Sequence, residues 1–273
     1  KLPKDNYALA CWLRRGEVEA ASIETQAYDA SRFRQTLIHV RGLTKLPGVE
    51  FVGHPLIDRV RVTRGREETL RAHGLEPGRR TVVLLPGSRS SEIAHLLPPL
   101  LDAVRRLGQA DDYQFALALA HTLPRSEIEA HARRAEVEVT IVADDTYNLV
   151  GAADLALVAS GTATLECALL ECPMVIVYRM AAFTYALARL LVRGVRYVGM
   201  PNIVAGHEVV PELLQGQVTG ARVADAARGI LDDPIRRARI VEDLREVRRR
   251  LGGGGAAGRA AAIVLEMLGG RAS

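Results

Sequence analysis

An α/β protein built on a Rossmann-like parallel sheet flanked by helices is the fold this 273-residue sequence predicts. Three observations lead there. From Thr81 to Tyr178, short apolar runs alternate with stretches of helical period, the pattern of repeated β-α units. The runs themselves, such as Thr81-Val82-Val83-Leu84-Leu85 and Leu155-Ala156-Leu157-Val158, are almost free of polar residues, as strands are when helices cover both sheet faces. Some of them end in a turn of small residues that opens a helix, and a parallel sheet of this kind binds ligands at the carboxyl ends of its strands.

Lys1 to Pro47 carries no sustained period. Within it, Tyr7 to Leu13 suits a short helix and Thr36 to Val40 a strand, and the segment is left unassigned. Residues 48–273 are expected to form one domain ending in helices. Val49 to Val52 reads as a short strand stopped by Gly53-His54-Pro55, since proline holds His54 in extended geometry. Leu56 to Val62 connects to a short helix, Arg66 to His73, ended by Gly74. Strands then follow at Thr81–Leu85, Phe115–Ala120, Val137–Val142, Leu155–Ala159 and Met174–Tyr178, with a sixth at Arg196–Val198. The helices between them are Ile93–Leu107, Arg125–Arg134, Tyr147–Val150, the one opened by Ser160-Gly161-Thr162, and Ala181–Val192. Ala221–Leu231, Ile235–Leu251 and Arg259–Leu268 close the chain, with Gly252–Gly255 as a flexible break.

Composition excludes several function classes. Thirty-six basic against 32 acidic residues leave a net charge of +4, and only 4% of residues are aromatic, so neither a strong phosphate-backbone field nor a base-stacking platform is present. No nucleic-acid partner is expected. Cys11, Cys167 and Cys172 are too few and too irregular for a disulfide framework and lack nearby histidines for a metal, so they read as small buried residues of a reducing compartment. No apolar run reaches the roughly 18 residues of a membrane span, and Lys1 to Tyr7 does not lead into a secretion signal. A cytoplasmic protein is the expectation. The arginine-rich stretch Arg236 to Arg250, interspersed with Glu242, Asp243 and Glu246, suits a solvated face; a weak attraction to anionic head groups is its sharper reading.

Three loops carry polar chemistry at the expected carboxyl edge. Ser160, Gly161 and Thr162 lie where an apolar strand gives way to a helix. A helix start offers unpaired N–H groups and partial positive charge to a phosphate. Glu166, one turn on, can accept from sugar hydroxyls. An ordinary strand-to-helix turn with a Ser or Thr cap satisfies the same residues. In the second loop, Gly87 allows close backbone approach beside Ser88, and Arg89 can clamp phosphate oxygens or be a solvated charge. The third holds Asn202, Glu212 and Gln215: amides suited to sugar hydroxyls, and a carboxylate read as lying at a helix start, where dipole capping explains it equally well. None of the loops is a Walker A or a Gly-x-Gly-x-x-Gly turn, which disfavours nicotinamide chemistry.

Gly53-His54-Pro55-Leu56, Leu85-Pro86-Gly87-Ser88-Arg89 with Glu92, Ser160-Gly161-Thr162-Ala163-Thr164-Leu165-Glu166, Tyr178-Arg179-Met180, Pro201 to Gly206 and Val210 to Gln215 together resemble the lipid-A-disaccharide synthase family. Order and spacing agree from about Gly48 to Leu268. The resemblance implies a GT-B glycosyltransferase of two Rossmann-like halves, an inverting enzyme that joins UDP-2,3-diacylglucosamine to 2,3-diacylglucosamine 1-phosphate and releases UDP. It implies work at the cytoplasmic face of the inner membrane of Gram-negative bacteria, with peripheral membrane contact; a homo-oligomer is compatible with it. Carried onto this chain, Ser160, Gly161 and Thr162 would hold the diphosphate, Glu166 the ribose, and Arg89 the charge of departing UDP. Asn202 and Gln215 would orient the donor sugar. No cofactor is implied, because the UDP-sugar is itself a substrate, and no metal, because helix dipoles and arginine take over its task.

The family places an acceptor-binding half before the Gly-His-Pro segment, and residues 1–47 align with no part of it. The expectation is therefore the UDP-sugar-binding half of such an enzyme, inactive alone. Two alternatives stand beside it: a non-catalytic nucleotide-sugar-binding module, and an enzyme resembling UDP-GlcNAc 2-epimerase.

Overall fold

The computed structural model describes residues 12–14, 49–109, 112–179 and 196–269. They fall into two compact units. Of the described residues, the larger comprises 60–109, 112–179 and 196–248, and the smaller comprises 12–14, 49–59 and 249–269. The final helix shares the smaller unit with the Gly-His-Pro segment.

In the smaller unit, β1 (Trp12–Arg14) pairs antiparallel with β2 (Val49–Phe51). Trp12 and Leu13 are therefore extended, not helical; Thr36 to Val40 lies outside the described residues. After β2 come α1 (Leu56–Arg59) and, from the far end of the chain, α10 (Ala256–Gly269). Hydrogen bonds join these distant segments. His54 N donates to Leu251 O at 3.0 Å, Gly255 N to the Asp58 carboxylate at 2.9 Å, and Arg259 Nη2 to Val52 O at 2.7 Å.

The larger unit is a six-stranded sheet in the order β5-β4-β3-β6-β7-β8. The strands are β3 (Arg80–Leu85), β4 (Tyr113–Leu119), β5 (Thr140–Ala143), β6 (Leu155–Ala159), β7 (Met174–Tyr178) and β8 (Glu212–Leu214), and every neighbouring pair is parallel. Numbered from β3, this is the 3-2-1-4-5-6 order of a dinucleotide-type fold, whose chain reverses direction of travel between β3 and β6. Central strands are the most buried: all of β6 and β3 from Thr81 onward are buried, whereas β8 is half-exposed throughout. This is why the central strands read as unbroken apolar runs.

Two sets of packed helices cover the sheet. One set is α3 (Ser90–Leu107) with α4 (Arg125–Ala135) and α8 (Gly220–Leu231). The other runs through α2 (Arg66–Ala72), α5 (Thr146–Gly151), α6 (Thr162–Leu169) and α7 (Met200–Ala205). α3 stays helical through Pro98 and Pro99, because Ile93, Leu97, Leu100, Leu101 and Val104 bury an apolar stripe that outweighs two missing donors. Pro99 leaves the carbonyl of His95 without its helical donor, and Arg179 Nη1 lies 3.5 Å from that oxygen.

Three sequence expectations are corrected. Arg196 to Val198 forms no strand; the sixth strand is β8. The reason is local: Val198 N donates to the Glu212 carboxylate at 2.8 Å, so it is spent on a side chain and not on a ladder. β5 begins at Thr140 and not at Val137, since Glu136 turns left-handed and Val137 N caps α4 through Ala132 O at 3.3 Å. Glu212 opens a strand, not a helix. The helix expected over Ala181 to Val192 lies outside the described residues.

The long basic helix α9 (Pro234–Arg250) turns Ile240, Leu244 and Val247 inward. Several of its arginines bind the protein itself: Arg237 pairs with Asp154 at 2.9 Å, Arg245 with Glu171 at 2.8 Å, and Arg248 donates to Leu169 O at 3.1 Å. Cys167 and Cys172 are buried free thiols, and burial pushes Cys172 up to about 12. Among the described residues no helix is long and apolar enough to cross a membrane.

Candidate functional site

The reversal between β3 and β6 leaves a crevice at their carboxyl ends, because the helices that follow depart to opposite sides. Leu85 pairs in register with Val158. Pro86 to Arg89 and Ser160 to Thr162 therefore leave adjacent strands at one level, although 71 positions separate Arg89 from Ser160 in the sequence. Arg179 follows β7 and Gln215 follows β8 on the same edge.

The two loops end differently. In the first, Arg89 is the residue before α3, and Glu92 folds back over the turn: its carboxylate accepts from Ser88 N at 2.8 Å and pairs with Arg89 Nη1 at 2.8 Å. Gly87 makes room for this. Its φ is 119°, and a methyl there would overlap the Glu92 carboxylate. Thr122, which follows β4, closes the loop from behind by donating to Ser88 O at 2.5 Å. The loop thus carries its own anion, which occupies the N–H of Ser88, one of the residues expected to bind the nucleotide sugar. Arg89 remains exposed.

The second loop has no internal anion. Among the described residues, Gly161 precedes α6 without any side-chain cap, and nothing lies within 4 Å of where its side chain would project. Thr164 turns inward and donates to Gly161 O at 2.7 Å, while Ser160 donates to Val198 O at 3.1 Å. Both contacts engage carbonyls, so they shape the turn without covering the first N–H groups of the helix. N–H groups at a helix start are what an anion can bind. One turn into α6, Glu166 accepts from the Tyr147 hydroxyl at 3.1 Å.

The third loop is filled by its own side chains. Asn202 is fully buried, and its amide is saturated: Nδ2 donates to Val210 O and to Glu212 Oε1, both at 2.8 Å, while Oδ1 accepts from Val209 N at 2.7 Å and Val210 N at 3.0 Å. Asn202 thus has no donor or acceptor left to orient a sugar; it ties α7 to the segment entering β8. The Glu212 carboxylate also accepts from Gly199 N at 2.9 Å. Burial pushes Glu212 up, against the opposing pull of the backbone N–H groups of Val198 and Gly199. Gln215 has φ 52° and begins the short 3-10 turn Gln215–Gln217.

His54, in the smaller unit, is 2% exposed, and burial pushes its imidazole down to about 4. Its Nδ1 accepts from Leu56 N at 3.2 Å, so the proton sits on Nε2, which has no hydrogen-bond partner among the described residues. A polar cluster that the sequence did not reveal pins the start of α5. Asn148 Oδ1 accepts from Thr63 N at 2.7 Å and Arg64 N at 3.1 Å, and Asp145 accepts from His73 Nε2 at 2.6 Å. Burial would raise Asp145, but hydrogen bonds from His73, Asn148 and Arg64 outweigh it and hold the carboxyl below its ordinary range. Tyr147 and Thr122 also escaped the sequence reading. Both follow strands at the carboxyl edge, and that position is the signal that identifies them.

A groove of about 490 Å³ lies elsewhere, between α4 and Val137–Ile141. Two of its lining arginines pair within α4, Arg125 with Glu129 at 3.0 Å and Arg133 with the same carboxylate at 3.8 Å.

The sequence model of a family described as lipid-A-disaccharide synthetase matches residues 44–263. A lipid-A-disaccharide synthase of Geobacter sulfurreducens is 45% identical over 222 residues, covering 81% of this chain and 58% of the relative. The chain thus spans little more than half the length of the curated relatives it matches. Among solved structures, the S. aureus MnaA–UDP co-structure aligns with a TM-score of 0.57 at 14% identity, over 86% of this chain and 58% of that one. WaaG, a glycosyltransferase involved in lipopolysaccharide biosynthesis, aligns with a TM-score of 0.50 at 14% identity, over 74% and 51%. At that identity the structural likenesses speak for fold alone, and they agree with the Rossmann-like sheet of GT-B type expected from the sequence.

Proposed function

We propose a function on the premise that this chain belongs to the lipid-A-disaccharide synthase family. It provides the UDP-sugar-binding part of a hexosyltransferase that moves 2,3-diacylglucosamine from UDP to 2,3-diacylglucosamine 1-phosphate, at the cytoplasmic face of the inner membrane. The observation that carries this reading is the uncapped start of α6 at the reversal point of the sheet, beside a loop that ends in an exposed arginine.

Bound there, the diphosphate of UDP meets the first N–H groups of α6 around Gly161 and Thr162, with Ser160 shaping the turn. Glu166 accepts from the ribose hydroxyls. Arg89 leaves Glu92 to offset the charge that builds on UDP as the glycosidic bond breaks, the electrostatic assistance such a leaving group requires. Gly87 and Ser88 hold that arginine's loop, Gln215 faces the donor sugar, and Asn202 with Glu212 forms the wall behind it. The acceptor is received outside this chain's matched half.

Calorimetric titration of the 273-residue chain with UDP tests the binding claim, with Arg89→Ala and Glu166→Ala each expected to weaken it. A folded sample with no UDP affinity refutes the reading. Adding an acceptor half in trans and assaying for disaccharide then separates a hexosyltransferase from a nucleotide-sugar-binding module, which would bind UDP without turnover.

A further inference from the structure

Glu92 belongs to the same motif as Arg89, yet the reading above gives it no task beyond yielding that arginine. It sits in the first turn of α3, and its two oxygens are divided between two donors of the preceding loop. Oε2 accepts from Ser88 N at 2.8 Å, and Oε1 accepts from Arg89 Nη1 at 2.8 Å. Gly87 permits this, since a methyl group there would overlap Oε2. Thr122 holds the same turn from the other side by donating to Ser88 O.

Helix capping accounts for only half of the arrangement. A glutamate at the third position of a helix commonly reaches back to the backbone N–H of the N-cap residue. Glu92 instead passes the N-cap, Arg89, and takes the N–H of Ser88, while its second oxygen takes the N-cap's own side chain. A glutamine would satisfy Ser88 N equally well, so the negative charge matters only to the arginine. That charge sits where it opposes a bound anion, because a backbone N–H and a guanidinium N–H are the donors a phosphate takes. The loop therefore carries an internal stand-in for phosphate: two oxygens on two such donors. Arg89 is 59% exposed and Glu92 33%, so the pair is one that a ligand can exchange at small cost.

We propose that Glu92 is a positioning residue that parks Arg89 when no nucleotide is bound and competes with the diphosphate for it, and so sets how loosely UDP is held. This rests on the UDP reading. Arg89 touches the diphosphate; Glu92 acts through Arg89. When the arginine moves to the ligand, Oε2 keeps Ser88 N and the loop retains its shape. When it returns to Oε1, the diphosphate loses a counter-charge and UDP leaves.

The test is calorimetry with UDP on the unaltered chain, Glu92→Gln, Glu92→Ala, Arg89→Ala and the Arg89→Ala, Glu92→Gln double variant. Glu92→Gln keeps an acceptor for Ser88 N and removes the competing charge, so it is expected to bind UDP about three- to fivefold tighter. Glu92→Ala removes that acceptor as well and should bind UDP less tightly than Glu92→Gln. Without Arg89, Glu92→Gln should change the affinity less than about twofold, because the group that transmits its effect is gone.

A purely structural cap predicts the opposite sign, with both Glu92 variants binding UDP more weakly than the unaltered chain. Weaker or unchanged binding by Glu92→Gln, whether or not its melting point falls, overturns this inference alone. So does a gain that is equally large without Arg89, which marks diffuse repulsion by the carboxylate. Absence of UDP binding by the unaltered chain overturns the parent reading and this one together.

Discussion

Two loops at one edge of the sheet, Ser160–Thr162 and Met200–Gln215, show what separates a site from a wall. Both carry the small and polar residues that read as ligand-binding in the sequence. In the first, polar side chains bond to carbonyls and leave the helix N–H groups open. In the second, Asn202 makes four hydrogen bonds to its own loop and is fully buried. A polar residue type therefore does not mark a site; unspent hydrogen-bonding capacity facing solvent does. The Gly87–Arg89 loop stands between the two, since Glu92 occupies its N–H group while Arg89 stays exposed.

The largest expected effect tests the wall. Asn202→Ala strands Val209 N, Val210 N and Val210 O and removes one of the two donors to Glu212 Oε1, and it should cost about 3 kcal/mol or more of stability, read from the denaturation midpoint. If the variant melts normally but loses UDP affinity, the contrast between the loops is wrong.

His54 sharpens the same contrast from the opposite side, as a buried polar group with one nitrogen unpaired among the described residues. Its folded pKa, about 4, lies below the unfolded value of 6.5. Above 6.5 both states are neutral and His54 contributes no pH dependence. As pH falls from 6.5 towards 4, only the unfolded state takes up the proton, so stability falls, by about 3 kcal/mol across the window. Unfolding free energies measured between those pH values should show the slope, and His54→Gln should flatten it.

Arg89→Ala probes the open side. Its ion pair with Glu92 is largely exposed, so stability should move by less than about 1 kcal/mol, while UDP affinity drops about tenfold. Equal losses in both would place Arg89 with the structural residues. Gly87→Ala probes the same loop from its backbone, where positive φ and the Glu92 carboxylate together should cost about 1–2 kcal/mol and loosen the arginine's loop. A thermal melt reads the first effect and the UDP titration the second.

Much of the fold was legible because central parallel strands are buried on both faces and must be apolar. Val82 to Leu85, Leu155 to Ala159 and Met174 to Val177 stand out for that reason. The edges were not legible: β8 is three residues long and half-exposed, and Val198, beside Glu212, imitated a strand. In the site, Ser160 to Thr162 was readable as a strand-to-helix turn, and Gly87 as a point of close approach. That Glu92 would lie over Gly87 was not, since the i+4 spacing from Ser88 is equally that of a solvated helix face. Tyr147 was hidden because its partner, Glu166, is 19 residues away across a strand.

By itself, the sequence determined the alternation of elements, the small-residue turns at the ends of β3 and β6, and the family, since these depend on local period and residue type. Only the tertiary structure decided which strand lies beside which, and with it which turns share an edge. It also decided which polar groups are spent: Asn202 was committed to the wall, Ser88 N–H to Glu92, and the start of α6 was left open. Hydrogen-bonding capacity is used up by neighbours in space, and those neighbours are set by the sheet order, not by spacing along the chain.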